Sequence, residues 1–94
     1  MNDPETNRLK EMALTYLHDL SPNLTLHDFR IVTGPTHTNI IFDIVIPFDF
    51  PLSDKEIVDK LCSQIHQENP HYYAVIEVDK QFSKKAWSFE TLYA

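Results

Sequence analysis

Four side chains in this sequence have the types and spacing to hold a cation: His27, Asp43, Glu77 and Asp79. Glu77 and Asp79 stand two residues apart in YYAVIEVDK, residues 72–80, a run rich in strand formers. Strand alternation therefore puts both on one face. Asp43 lies in a second such run, where Asn39, Ile41, Asp43 and Val45 share one face and Ile40, Phe42, Ile44 and Ile46 the other. If the two strands are neighbours, the three carboxylates come together. His27, at the beginning of a further strand, completes the group. Three carboxylates and an imidazole suit a divalent cation, and so oxygen-rich a set favours the harder metals. The same carboxylates also suit a solvated strand edge, held soluble by charge or paired with Lys and Arg. Both readings stand at this point.

Other chemistry has less support. The chain contains one Gly, so it has no Gly-rich phosphate loop, and it has no nucleophile elbow. His27 and Asp28 are adjacent, and regular alternation points them to opposite faces of a strand. No enzyme is expected. Cys62 is the single cysteine, which rules out an intrachain disulfide and a Cys-pair zinc motif; it reads as a small apolar helix residue. His18 falls near a helix C-terminus, His66 on a solvated helix position, and His37 and His71 in loops. A net charge of −6 and a pI near 5.1 give no electrostatic footprint for nucleic acid, and none is expected as a partner. No apolar run has the length to span a bilayer, and the N-terminal MNDPETNRLKEM is too polar for a signal peptide. The chain reads as soluble and cytoplasmic.

The elements that must position these residues can be read in order. Over 94 residues, 43% of them hydrophobic, one small domain with a modest core is expected. Residues 3–20 predict a helix: Asp3 caps it, Pro4 sits at its first position, and Leu9, Met12, Ala13, Tyr16, Leu17 and Leu20 recur at three- and four-residue steps. Residues 24–33 and 38–46 predict strands joined by a Gly34-Pro35-Thr36-His37 hairpin loop. Phe48 and Phe50 are expected to pack over one end of the core. Ser53 and Glu56 form a capping box for a helix over 54–68, with Ile57, Val58, Leu61, Cys62 and Ile65 inward. Residues 72–80 are the third strand. The order α-β-β-α-β gives an α+β domain: a ferredoxin-like fold lacking its first strand. Its three-stranded mixed sheet is parallel across the βαβ unit and carries both helices on one face. Residues 1–82 form the domain and 83–94 an aromatic tail containing Trp87 and Phe89. The other sheet face has nothing to cover it except that tail, as an oligomer interface would.

The run LHDFRIVTGPTHTNIIFDIVIP, followed by the helix and YYAVIEVD, resembles the C-terminal cytoplasmic domain of cation diffusion facilitator transporters. The likeness extends from about Asp3 to Asp79. It rests on the His-Asp start of the first strand, the Gly-Pro hairpin and the hydrophobic-x-Asp ending of the third strand. In that family the domain is a cytoplasmic α-β-β-α-β module that dimerises and binds metal. The resemblance implies ligands at His27, Asp43, Glu77 and Asp79, a homodimer through the open sheet face, and a transmembrane partner domain. Asp43 and Glu77 stand where zinc-binding members often carry His, a departure that points to a harder metal, a weak site or a purely structural dimer in place of the usual zinc site; zinc, manganese and iron are the candidate cations. The family's membrane helices are not in this sequence, so the chain reads as an excised domain or a free-standing relative. The implied function is dimerisation and regulation of a divalent metal/proton antiporter. The alternative is a self-associating ferredoxin-like module that binds a small metabolite.

Overall fold

The computed structural model describes residues 3–81; the expected tail over 83–94 lies outside them. Five elements follow one another: α1 (Pro4–Leu20), β1 (Thr25–Thr33), β2 (Thr38–Pro47), α2 (Asp54–Glu68) and β3 (Tyr72–Gln81). Each bound falls within one residue of the expected one. The Asp3 carboxylate accepts from the Glu5 N–H at 3.4 Å and starts α1, with Pro4 where a missing N–H costs nothing. Ser53 Oγ accepts from the Glu56 N–H at 3.1 Å and starts α2. The hairpin loop closes through Gly34 N–H to His37 O at 2.8 Å.

The sheet order is β1-β2-β3, antiparallel between β1 and β2 and parallel between β2 and β3. Ile40, Phe42, Ile44 and Ile46 of the central strand are fully buried against Leu9, Ala13 and Leu17 of α1 and Ile57, Leu61 and Ile65 of α2. Leu26, Phe29 and Ile31 of β1 and Ala74, Ile76 and Val78 of β3 pack on the same cluster. The helices thus share one sheet face, as the α-β-β-α-β reading requires. Phe50 packs on this core as expected. Phe48 does not: it is 59% exposed, with Lys80 Nζ 5.8 Å from its ring centre. A Lys80–Asp54 ion pair at 2.8 Å ties the end of β3 to the start of α2.

Candidate metal centre on the open sheet face

The face away from the helices is where all four expected ligands emerge. In the strand register His27 stands opposite Asp43, and Asp43 opposite Glu77, so the three form one row across the sheet. Asp79 stands one row further on, opposite Val45. The central position of β2 is what unites the row, since β1 and β3 do not touch each other. Adjacent strands lie about 4.8 Å apart and side chains rise from them nearly in parallel. A flat row of this kind spreads its donors. Among the described residues no three His, Cys, Asp or Glu side chains gather closely enough to hold an ion. The donor types fit a divalent cation of the harder kind; a single chain does not close them around it.

One residue belongs to this face that alternation assigned elsewhere. The register shifts between His27 and Arg30, so Asp28 and Phe29 together oppose Phe42. This is a β-bulge. It lets Leu26 and Phe29 both turn inward, and Phe29 stacks on Phe42 with ring centres 5.8 Å apart. Asp28 takes the left-handed conformation, φ 54°, and its carboxylate turns to Asp43 instead of to the opposite face. The expectation that His27 and Asp28 point apart is therefore corrected. Arg30 reaches back to the Asp28 carbonyl, Nη1 to O at 2.9 Å, and His27 Nε2 lies 3.1 Å from Thr25 Oγ1 on the same exposed face.

The electrostatics follow from this crowding. Partial desolvation holds the Asp43 carboxyl above the ordinary aspartate range. A hydrogen bond to Asp28 and the negative charges of Asp28 and Asp79 push it further up, and the nearby Arg30 guanidinium pulls it down. When protonated, Asp43 donates to Asp28; a cation could stand in for that proton. Half-exposed apolar side chains flank the acids: Val32, Tyr73 and Val75 keep 53%, 50% and 52% of their surface open.

The remaining candidates are structural. His18 Nε2 meets Leu24 O at 3.1 Å, His66 Nδ1 meets Tyr72 O at 3.1 Å, and His71 Nδ1 meets Thr36 O at 2.9 Å. The Cys62 thiol donates to Ala74 O at 3.8 Å, and burial, with the charge of Asp59, pushes its pKa up, the opposite of a reactive thiolate.

Solved structures share this fold. The zinc form of CzrB, a proposed zinc transporter, matches with a TM-score of 0.71 at 18% identity, over 86% of this chain and 90% of that one. A second CzrB structure matches with a TM-score of 0.67 at 18% identity, over 86% and 99%. The metal-bound C-terminal domain of the CzcD transporter from Thermotoga maritima matches with a TM-score of 0.68 at 18% identity, over 84% and 94%. At that identity the likeness establishes the fold. No family model matches the sequence, and neither does any curated protein.

Proposed function

We propose that this chain is the cytoplasmic dimerisation and regulatory domain of a divalent-cation transporter of the cation diffusion facilitator kind. Residues 1–82 form the regulatory unit, and the chain carries no catalytic residue. One observation supports the reading above the rest. A fold shared with a metal-bound transporter domain presents its acids, with His27, on one sheet face that no other element among the described residues covers. The row is open in one chain, so a second copy facing it supplies the missing donors. His27, Asp43, Glu77 and Asp79 are the ligands, and the carboxylate-rich set favours manganese or iron over zinc. The switch is linkage: a cation that binds the paired arrangement better than the separated one stabilises pairing by that difference. An attached transmembrane domain would feel the change as a shift in the separation of the two cytoplasmic units.

The test is solution mass by light scattering, on chelator-treated protein and again with manganese or zinc added. Metal should raise the dimer fraction, and Asp79→Ala should remove that response while leaving the fold unchanged by circular dichroism. A protein that stays monomeric under all conditions overturns the reading.

A further inference from the structure

We propose that the corner where the hairpin loop meets the start of β3 is a second cation site. The Nε2 atoms of His37 and His71 are its donors, and its ligand is a borderline transition-metal ion of the nickel, copper or zinc class. Two loops make the corner. Within the hairpin the Gly34 N–H donates to His37 O at 2.8 Å, and the Thr38 N–H donates to His71 O, also at 2.8 Å, in the loop after α2. On that second loop the His71 N–H donates to Asn69 Oδ1 at 2.9 Å and the Tyr72 N–H to Asn69 O at 2.9 Å. The backbone on both sides is thus fixed by hydrogen bonds. A hollow of about 220 Å³ opens between Gly34, Pro35, Thr36, His37, Thr38 and His71.

Thr36 orients both rings. Its carbonyl oxygen lies 2.9 Å from His71 Nδ1. A carbonyl can only accept, so neutral His71 carries its proton on Nδ1 and keeps the Nε2 lone pair. The Thr36 hydroxyl lies 2.9 Å from His37 Nδ1, and by accepting there it leaves His37 Nε2 in the same state. The His37 ring also rests edge-on against Tyr73, with ring centres 4.8 Å apart. An imidazole held by an oxygen at one nitrogen and offering the other is the usual arrangement of a metal-ligating His. The bonds that serve the fold therefore use Nδ1 alone. Among the described residues no three protein donors gather, so water completes the coordination, and the hollow has room for it. Donors fixed before binding lose little freedom when the ion arrives. Imidazole nitrogen suits nickel, copper and zinc, whereas the carboxylate row suits harder cations. Thr38 stands five residues before Asp43 on β2, about 17 Å along the strand, so the two sites are separate and neither needs the other.

Nickel(II) titration of the full chain, followed amide by amide in NMR spectra, tests this apart from any self-association, because paramagnetic nickel broadens the signals nearest to it. In the parent chain the amides of Thr36, His37, Thr38 and Tyr72 should broaden at lower nickel concentration than those around His18, a single imidazole. His71→Gln keeps a donor for Thr36 O and removes one ligand, and His37→Gln removes the other. Each variant should need at least about tenfold more nickel for half-broadening at Thr36 and Thr38, with its circular dichroism unchanged. Equal half-points in the parent and either variant overturn the proposal. Broadening around His18 at the same concentration as at the corner also overturns it, because any lone imidazole would then serve as well.

Discussion

Asp28 shows how one backbone angle redistributes the chemistry of a face. At φ 54° an L-residue is costly, and Asp is among the few that tolerate it. Asp28→Val, β-branched at this position, should lose about 1–2 kcal/mol in chemical denaturation, while Asp28→Gly keeps the fold. The neighbouring Asp43 carries a different signature. It is crowded by Asp28 and Asp79 and desolvated, so its charge opposes folding in the metal-free state. Asp43→Asn should raise the midpoint of thermal unfolding at neutral pH in chelator and remove the metal-induced rise, a pair of opposite effects that calorimetry can separate. The shared face of Asp43, Glu77 and Asp79 could be read from alternation alone, because β2 and β3 keep it without a break, whereas His27 stands on β1 next to the bulge. Asp28 could not, although a hint was present: apolar residues at 26, 29 and 31 break the period of two in the way an extra residue would. A second titration sits on the helix side. The Tyr16 hydroxyl donates to the Glu68 carboxylate, and this bond, with burial and the charges of Glu68 and Asp19, pushes its pKa up to about 12. The folded phenol holds its proton above the ordinary value of 10, so the stability it contributes is complete below pH 10 and lost between 10 and 12. In spectrophotometric titration of the chain's four tyrosines, Tyr16→Phe should delete the last component to ionise.

At the scale of elements the sequence was nearly transparent, for a reason that can be tested at one cap. Ser53 starts α2 through a single hydrogen bond to the Glu56 N–H. Ser53→Ala should cost about 1 kcal/mol. That lowers the thermal midpoint by roughly 4–8 °C for a domain of this size. The other boundaries are set by similarly local chemistry: Asp3 with Pro4 at one end of α1, Ser21-Pro22 at the other, and Asn69-Pro70 after α2. Such signals act within a few residues and so can be read one at a time. The helix faces were legible too, since Leu9, Ala13 and Leu17, and Ile57, Leu61 and Ile65, fall at helical spacing and are the residues buried. Phe48 was misread because its place depends on the route of the connection after Pro47, which no periodicity encodes. The edge of β3 was equally invisible: that His66 and Cys62 serve two of its carbonyls follows from where α2 lies on the sheet.

For the whole molecule the proposed function requires that a cation decide whether two copies meet. The open face offers apolar contact at Val32, Tyr73 and Val75, each about half exposed, which favours pairing. The same face carries Asp28, Asp43, Glu77 and Asp79 against Arg30, so two copies brought face to face repel. At close range such repulsion among partly desolvated charges is comparable to the gain from a small apolar contact. A bound cation removes the repulsion locally. Salt should do the same less specifically, because exposed charges are screened over about 10 Å at 0.1 M and about 3 Å at 1 M. In chelator, raising sodium chloride from 0.05 M to 1 M should therefore strengthen self-association measured by sedimentation equilibrium. With saturating manganese the dependence on salt should flatten, since the charge is already compensated. Val75→Ser separates the apolar contribution from the charge, which it leaves unchanged. At a half-exposed position it should leave stability within about 0.5 kcal/mol, yet it removes apolar surface from the contact and should weaken pairing with salt and with metal alike. Were Val75→Ser to pair as well as the parent chain, the face between β1 and β3 would not be the interface, and the acids on it would have to act within one molecule.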